Sequence, residues 1–585
     1  MNASLPLIIA LPVFYLAYRY YARYIAGVFG EDDKNPTPAV AFNDQKDYVP
    51  TKPLVLFGHH FAAIAGAGPI IGPTLGLTFG FIPCLLWLIL GAVFIGAVHD
   101  YSALFASMRE QGKSMARVTE TSLGKAGFII LISFTISLVL IVTSAFLGLA
   151  AVALTSLVPI AQLGLEPSQS LLRTITVDGT IMATIGAIAS TSVIVITLCA
   201  PLIGYLLYRK GINSYYAALI AIIVCLASIK IGMSYPISLG HTFWMISLAV
   251  YVFIAAGIPV WIILQPRDFT NSFILFGGII MLVAGGVVGG FKGITFVAPA
   301  FNLSEGALKL GPVWPFLFIT IACGAISGFH ALVAGGTTSK QISRESTARK
   351  IGFGSMLLEA LFSVGVVIAV GCGLSFSHYT QLVFPIDPAI KSNPVLAFSL
   401  GVGGLLEKSI GIPSSYGTVF GILLIAGFLA TTLDAAVRLN RYLFEELWAA
   451  IFTQVPRLLR SYFFNSFLCV SIMFALGYSN AFLAIWPVFG AANQLLAALT
   501  LLGISLWLFR KGKSFSFLIL PAIFMMVTSL FTLTYLLIKV YIPNHNWMLT
   551  AADLLLIGLA VGVIILSVKS FMKSYAVREP KGDNI

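Results

Sequence analysis

The sequence has few charged residues. Only 10% of its 585 residues are charged, whereas 58% are hydrophobic. Ordinary soluble domains carry about 25% charged residues, so this composition excludes a soluble globular protein. Apolar runs of about 18 residues or more recur from end to end, which predicts an all-α polytopic membrane protein.

Other features are scarce or missing. The six cysteines lie in apolar runs without C-x-x-C spacing, which favours packing residues over disulfides or metal ligands. There is no H-E-x-x-H motif and no TVGYG-like filter, so an intramembrane metal enzyme and a channel are the less favoured alternatives. We expect no enzyme activity, no cofactor and no bound metal. The net charge of +12 comes from short basic clusters between apolar runs, which predicts contact with membrane lipid and no nucleic-acid partner.

The positive-inside rule orients the apolar runs. About 15 crossings place every basic cluster on one side, with the N-terminus outside and the C-terminus in the cytoplasm. Residues 101–127 are then predicted to form an interfacial cytoplasmic segment, and residues 377–413 an irregular, proline-containing external one. The predicted spans are Leu5–Ala22, Val55–Gly80, Phe81–Val98, Phe128–Pro159, Thr180–Tyr208, Ser214–Gly232, Phe243–Leu264, Asn271–Gly290, Trp314–Val333, Phe353–Phe376, Tyr416–Leu433, Ser461–Leu476, Asn480–Phe509, Phe515–Val540 and Leu549–Val568.

The second apolar run contains both ionisable residues and helix breakers. His59 and His60 lie near its start, and its middle contains Gly66, Gly68 and Pro69 in the sequence Gly-Ala-Gly-Pro. A histidine inside a membrane indicates a functional site, because it needs a cavity or a partner. Glycine and proline favour an unwound helix, which is tolerated at membrane depth only beside a cavity or inside protein. The run therefore predicts a discontinuous, site-forming helix; the alternative is a glycine-rich packing helix.

Consecutive helical residues do not share a face. We therefore expect one of His59 and His60 to face a cavity and the other to bond a neighbouring helix. Glycines also recur every fourth residue from Gly68 to Gly80, which predicts a ridge where another helix packs closely.

A later stretch, Cys323–Lys340, has the same ingredients. It contains His330, the pair Gly335-Gly336, and Thr337 and Thr338. On the topology above it crosses in the opposite direction. Inverted repeats with discontinuous helices that meet near the bilayer midplane form the substrate site in many secondary transporters. The alternative is a packing helix whose histidine bonds a neighbour's carbonyl.

Three polar residues inside predicted spans are further candidates. Glu359 is interpreted either as a proton carrier or as a partner of Arg349 or Lys350. Asn493 and Gln494 are interpreted first as interhelical hydrogen-bonding groups and second as contacts to substrate or ion.

Charged residues at predicted helix ends are gate candidates. Asp434 and Arg438 stand four residues apart, which predicts an ion pair first and a gate second. Arg267 and Asp268 are interpreted as gates or helix caps, and the same holds for the sequence His99-Asp100.

Several segments together resemble a known family. They are GHHFAAIAGAGPIIGP (58–73), VHDY (98–101), PVWIILQPRDF (259–269), CGAISGFHALVAGGTTSKQI (323–342), TTLDAAVRLNRY (431–442) and WPVFGAANQLLAA (486–498). They are similar to signature segments of the carbon starvation protein A family. The resemblance implies an inner-membrane carrier, induced in carbon starvation, that takes up peptides or pyruvate. It also implies membership of the amino-acid/polyamine/cation transporter superfamily, with a LeuT-like core of inverted repeats and added peripheral helices.

On these grounds the sequence predicts a proton symporter. A protonated His59, His60 or His330, with the helix N-terminus after Gly68-Pro69, would attract a carboxylate substrate. A sodium-coupled carrier is the nearest alternative, with Thr337, Thr338 and Ser339 as the ion's ligands.

The chain is divided into four parts by the predicted repeats. Residues 1–54 form a first helix and linker, residues 55–242 a first repeat, residues 243–509 a second repeat, and residues 510–585 the last helices and a basic tail. The sequence does not define an oligomeric state.

Overall fold

The computed structural model describes residues 1–44, 48–169, 171–259, 261–387, 390–480 and 482–576. The end of the predicted basic tail, residues 577–585, lies outside the described residues. Within the described part, 12 helices are long and apolar enough to cross a membrane, and a bent pair makes a thirteenth candidate. The chain is therefore a multi-pass helical membrane protein, as its composition predicted.

The helices are numbered here in chain order. They are α1 (Leu5–Phe29), α2 (Pro53–Ile64), α3 (Gly68–Gly76), α4 (Phe81–Arg109), α5 (Met115–Leu154), α6 (Ile185–Gly204), α7 (Ser214–Ser234), α8 (His241–Gly257), α9 (Leu264–Phe291), α10 (Leu303–Leu310), α11 (Val313–Thr320), α12 (Ala322–Ala325), α13 (Phe329–Gly336), α14 (Glu345–Gly373), α15 (Phe376–Val383), α16 (Pro394–Ile410), α17 (Ser414–Ile451), α18 (Tyr462–Ser479), α19 (Phe482–Arg510), α20 (Ser516–Tyr541) and α21 (Trp547–Ala576).

Two predicted spans are shorter in the structure than a simple crossing. The predicted span from Phe243 corresponds to α8, which has 17 residues. The predicted span from Trp314 is divided among α11, α12 and α13. A straight crossing needs about 20 helical residues, so the figure of 15 crossings stays a prediction.

The structure adds one small β-sheet to the helical fold. Its strands are β1 (Val158–Pro159), β2 (Thr174–Val177) and β3 (Thr180–Ala183), and they lie in the connection between α5 and α6. Both pairings are antiparallel, and the strand order is β1-β3-β2. The predicted span from Thr180 therefore begins as a strand, and its helix starts only at Ile185.

The interfacial segment predicted at residues 101–127 is wrong in its first part. Helix α4 continues through it to Arg109, and Ala97–Met108 is buried. Small residues allow this close packing: a Cβ on Gly352 of α14 would lie 2.9 Å from the Cα of Tyr101. The basic residues beyond Met108 reach the surface, but the turns before them belong to the protein interior.

The prediction of an irregular external segment at residues 377–413 is also wrong. Its second half forms α16, which is largely buried and packs between α14 and α17. Glycines bring the backbones together, since a Cβ on Gly401 would lie 2.8 Å from the Cα of Val370. Pro394 does not interrupt the helix, because it occupies the first turn, where its missing N–H is not needed.

Several predicted cytoplasmic loops meet at one end of the bundle. Their contacts join the loop after α1, the α4–α5 turn, the loop before α14 and the α19–α20 turn; the ion pairs are Arg109–Glu345, Arg349–Glu31 and Lys511–Glu110. This common location agrees with the grouping of basic clusters on one side. Which side of the membrane it faces stays a prediction.

Candidate functional site

The first predicted break is present between α2 and α3. The two helices are bent by 43°. Ala65 leaves the helical conformation, and α3 restarts at Gly68 with Pro69 in its first turn. The carbonyl group of Pro69 accepts a hydrogen bond of 3.0 Å from Ser363 on α14. This carbonyl has no helical donor because Pro73, four residues on, lacks an N–H, and Ser363 supplies the bond inside the protein, as membrane burial requires.

The second stretch is interrupted between α12 and α13, whereas the pair Gly335-Gly336 that the sequence offered as its breaker lies in the last turn of α13. Ile326 is extended there, and the chain resumes a helix at Phe329. Asn493 of α19 replaces the lost helical bonds. Its backbone carbonyl accepts from the N–H of Gly328 at 3.1 Å, and its side-chain oxygen accepts from the N–H of Phe329 at 3.0 Å.

The two breaks pack directly against each other. A Cβ on Gly68 would lie 2.5 Å from the Cβ of Cys323, and one on Gly72 would lie 2.8 Å from the carbonyl oxygen of Thr320. The glycine ridge predicted from the sequence is thus the surface on which the second broken segment packs. Its glycines have a steric reason, because any side chain at these positions would push the two breaks apart.

A buried ionisable cluster lies at this junction, and we call it the His330 cluster: His99, Asp100, His330 and Glu359. The Nδ1 of His330 hydrogen bonds with Asp100 Oδ2 at 2.7 Å, and the Nδ1 of His99 hydrogen bonds with Asp100 Oδ1 at 2.8 Å. The other ring nitrogen of His330, Nε2, lies 3.3 Å from Glu359 Oε2. All four side chains are at most 1% exposed. The His330 ring also lies near the backbone carbonyl of Ile64, at the first break.

The hydrogen bonds of Asp100 restrict where protons sit. When the Asp100 carboxyl group is ionised, both of its oxygens accept and each Nδ1 carries a hydrogen. The groups that can then take a further proton are Nε2 of His330 and the carboxyl group of Glu359, which lie 3.3 Å apart. Within the described residues, neither oxygen of Glu359 has a hydrogen-bond partner. The pair His330–Glu359 can therefore hold one proton or two without any change in the bonds to Asp100.

His60 and His59 occupy different environments, as two consecutive helical residues must. His60 is buried, and its Nδ1 hydrogen bonds with the hydroxyl of Thr338 at 2.8 Å. His59 is half-buried. His60 is therefore the residue that bonds a neighbouring segment.

The predicted sodium ligands are engaged with protein groups. The hydroxyl of Thr337 donates to the Val333 carbonyl at 3.0 Å, and that of Thr338 bonds His60. Ser339 bonds Ser107 at 2.9 Å. A sodium ion at this position would have to replace these three interactions.

Asn493 and Gln494 make the interhelical hydrogen bonds of their first interpretation. Besides its bonds to the break, Asn493 donates to Ser327 Oγ at 3.0 Å. Gln494 donates to the Phe318 carbonyl at 2.6 Å. Their contact with substrate or ion stays a prediction.

The gate candidates form a second buried cluster, which we call the Arg267 cluster: Tyr251, Arg267, Asp268, Asn271, Thr431 and Asp434. Arg267 donates to Asp434 Oδ2 at 2.8 Å and to Thr431 at 3.3 Å, and it also bonds the hydroxyl of Tyr251. Arg267 and Asp268 are 1% and 3% exposed. They lie in the first two turns of α9 inside the protein and do not cap a surface helix end.

The predicted ion pair between Asp434 and Arg438 is wrong. Asp434 pairs with Arg267, whereas Arg438 donates to the carbonyl groups of Ala255 and Ile258. Arg438 thus binds the free carbonyls at the end of α8, where a cation is favoured. The proposed partner of Glu359 was also wrong, because Arg349 pairs with Glu31.

Sequence reasoning named His99 and Asp100 only as gates or helix caps, without their partner His330, and it missed Tyr251. The pair His99-Asp100 was assigned to a helix end because the apolar run before it stops at Val98. The sequence does carry a signal, since adjacent histidine and aspartate residues inside a segment of small and apolar residues need burial partners. Tyr251 has no signal of its own in the apolar helix α8.

A bundle of at least 12 apolar helices with two breaks meeting at buried ionisable residues defines a multi-pass membrane protein of the transporter class. The sequence matches the family described as carbon starvation protein CstA over residues 2–389 and 374–532. The chain belongs to this family, as the signature segments predicted. It is a transporter and not an enzyme.

Named relatives of this chain are also transporters. The peptide transporter CstA of Bacillus subtilis (strain 168) is 35% identical, and the match covers 86% of this chain and 84% of the relative. The pyruvate/proton symporter BtsT of Escherichia coli (strain K12) is 30% identical over 90% of this chain and 80% of its own length. A solved manganese transporter of Eremococcus coleocola, 11% identical, covers 91% of this chain and 99% of its own with a TM-score of 0.42. That likeness is too weak to define the fold, so the LeuT-like core stays a prediction.

Proposed function

We propose that this transporter is a secondary active carrier of the bacterial cytoplasmic membrane. In this proposal it imports peptides or small carboxylates such as pyruvate together with protons, in response to carbon starvation. The names of its relatives, a peptide transporter and a pyruvate/proton symporter, support these substrate classes. The N-terminus would be outside and the C-terminus in the cytoplasm. The repeats would occupy residues 55–242 and 243–509, flanked by residues 1–54 and 510–585.

The observation that best supports proton coupling is the distance of 3.3 Å between Nε2 of His330 and Oε2 of Glu359. With one proton on the pair and Asp100 ionised, the three side chains have a net charge of −1. A second proton leaves His330 charged and Glu359 neutral, which makes the net charge zero. An anionic substrate is repelled by the first state and tolerated by the second, so proton and substrate favour each other's binding.

The position of the pair supports a role in the transport cycle. His330 lies on α13, Glu359 on α14 and Asp100 on α4, so the cluster joins the second broken segment to two continuous helices. The N-terminus of α3 adds partial positive charge at the same junction. A change in the angle of either break would alter the distance between His330 and Glu359, and with it the affinity for the proton.

The test is uptake into proteoliposomes driven separately by a pH gradient and by a sodium gradient. We expect pyruvate or peptide uptake with the pH gradient, and His330→Gln to abolish accumulation because Gln cannot carry the proton. Asp553→Asn is the matched control, since it neutralises another buried carboxyl group, on α21, outside the cluster. Uptake driven by sodium alone, or full proton-driven accumulation by His330→Gln, would contradict the proposal.

A further inference from the structure

Helix α13, which carries His330, has only eight residues. Its N-cap residue is Gly328, which has no side chain that could accept a hydrogen bond from the first turn. The first N–H groups of a helix need acceptors, and a helix this short has little stability of its own. The position of α13, and with it that of His330, therefore depends on contacts with other helices.

Asn493 of α19 provides the missing acceptors. Its backbone carbonyl accepts from the N–H of Gly328 at 3.1 Å, and its Oδ1 accepts from the N–H of Phe329 at 3.0 Å. Its Nδ2 reaches the other side of the break and lies 3.0 Å from Ser327 Oγ and 3.4 Å from Cys323 Sγ. The Asn493 side chain is fully buried. It thus caps α13 from another helix and holds both sides of the break against α19.

Helix α19 is a well-packed support for this cap. It has 29 residues, and every residue from Val488 to Leu508 is buried. The helix also contains no titratable side chain before Arg510. A neutral substitution at Asn493 therefore changes how α13 is held without changing any charge of the site.

The two acidic partners of His330 are held by a different contact. Asp100 lies on α4 and Glu359 on α14, and the backbones of these helices touch, since a Cβ on Gly352 of α14 would lie 3.1 Å from the carbonyl oxygen of Asp100. The packing of α4 on α14 therefore sets how Asp100 and Glu359 lie relative to each other. The distances of His330 from both, 2.7 Å and 3.3 Å, depend in addition on how α13 is held.

We propose that Asn493 is a positioning residue, which sets the distance between His330 Nε2 and Glu359 Oε2 by capping α13 from α19. The attraction between an imidazolium and a carboxylate falls with distance, so the cap also sets how tightly the pair holds its proton. Its importance for uptake rests on the proposed function, whereas its effect on the protonation of the pair does not. The other titratable groups near the pair come from α2, α4 and α12; they are His60, His99, Asp100 and Cys323.

The test follows the protonation of Glu359 directly, by infrared titration of the full-length protein in lipid membranes. The carboxyl band of Glu359 is identified by its absence in Glu359→Gln. Asn493→Leu keeps the approximate size of the side chain but cannot cap α13, so we expect His330 to move away and Glu359 to keep its proton to higher pH. The midpoint of the titration should rise by about one pH unit, a tenfold change in proton affinity.

Gln494→Leu is the matched control. Gln494 is the next residue of α19, it is also buried, and it donates to the Phe318 carbonyl of α11, ahead of the break. Its loss should destabilise the protein but leave the midpoint of the Glu359 titration unchanged. Ser327→Ala should leave the midpoint unchanged as well, because both N–H groups that the cap binds keep their acceptors. A merely structural role of Asn493 would make Asn493→Leu and Gln494→Leu equivalent.

An unchanged midpoint in Asn493→Leu, or an equal shift in Gln494→Leu, would overturn the proposal. If Asn493→Leu does not fold, Asn493→Ala is titrated in its place and decides by the same criterion. Proton coupling is tested separately, by the uptake of His330→Gln. A raised midpoint in Asn493→Leu together with full proton-driven accumulation by His330→Gln would support the positioning role and contradict the proposed function.

Discussion

Each of the two buried clusters has two carboxyl groups, but the basic group between them differs. One has His330 between Asp100 and Glu359, and the other has Arg267 with Asp268 and Asp434. Imidazole gains and loses a proton near physiological pH, whereas guanidinium does not. The first cluster can therefore change its charge during a cycle. The charge of the second is fixed unless a carboxyl group is protonated or an ion binds.

The His330 cluster reaches the first break, because His330 lies near the backbone of Ile64. Helix α17, which carries Thr431 and Asp434 of the other cluster, also packs on this break through Thr432, which faces Gly66. Variants that affect one cluster and spare the other are the clearest way to separate them.

The largest expected effect comes from breaking the permanent ion pair. Arg267→Met leaves Asp434 and Asp268 buried without their cation, so we expect the free energy of unfolding to fall by about 3–5 kcal/mol. His330→Gln keeps a neutral hydrogen-bonding side chain and should cost about 1–2 kcal/mol. Reversible unfolding in detergent measures both. The double variant Arg267→Met/Asp434→Leu should recover part of the loss, and equal losses in Arg267→Met and His330→Gln would contradict this contrast.

The next effect concerns the packing on which the His330 cluster depends. Gly68→Ala forces a methyl group against Cys323, and overpacking of this kind costs about 1–3 kcal/mol. We expect uptake to fall about tenfold, the rate equivalent of about 1.4 kcal/mol. Gly58→Ala is the matched control on α2, because no atom lies within 4 Å of its added Cβ. If the double variant Gly68→Ala/Cys323→Gly regains uptake, the steric explanation is supported. Normal uptake by Gly68→Ala alone would contradict it.

A smaller effect is expected at His60. Thr338→Val removes its hydrogen-bond partner at nearly constant volume, which should lower the free energy of unfolding by about 1 kcal/mol. Thr337→Val is the control, because the Thr337 hydroxyl only bonds a carbonyl of its own helix. If the two variants have the same free energy of unfolding, the His60–Thr338 bond contributes nothing to stability.

The smallest effect is expected at the surface, outside the membrane-spanning segments. The backbone N–H and hydroxyl of Ser346 donate to Asp33, both at 2.8 Å, and these bonds hold the pKa of Asp33 below its usual range. A lowered folded-state pKa stabilises the protein above the usual range, and the stabilisation is lost as pH falls through the lowered value. Because Asp33 is exposed, Asp33→Asn should cost at most about 0.5 kcal/mol at neutral pH.

The pH dependence is the check on this last expectation. The difference between wild-type protein and Asp33→Asn should shrink as the unfolding buffer is acidified from neutral pH. The exposed hairpin variant Asp178→Asn serves as the control. If the difference in the free energy of unfolding between the two proteins grew on acidification, it would contradict a lowered pKa of Asp33 in the folded state.

The sequence predicted the first break because its cause is local: Gly-Ala-Gly-Pro disfavours a continuous helix wherever it lies. The position of the second break, at Ile326–Gly328, did not follow from the pair Gly335-Gly336, since the interrupted backbone there is bonded by Asn493 of another helix. The packing of one break on the other also followed, because the glycine ridge has a period that a helix face shares. His330 and Glu359 were both candidates, but as separate residues.

What the sequence did not predict depends on long-range packing. Asp100 was assigned to a helix end because the hydrophobic run stops at Val98, and hydropathy cannot distinguish a polar surface turn from a polar interior. The same limit hid the partner of Arg267, Asp434, which lies 167 residues away. Helix α16 was missed because four prolines in 377–413 indicated a loop, although Pro394 occupies a first turn and the buried face has glycines that suit close packing.

The central claim is that the proton shared by His330 and Glu359 couples uptake to the pH gradient. The most direct test is Glu359→Gln, measured in net uptake and in counterflow exchange. Gln mimics the neutral carboxyl group but cannot release a proton, so we predict that exchange continues while proton-driven accumulation is lost. Accumulation at the wild-type level by this variant would show that the proton does not bind at this pair.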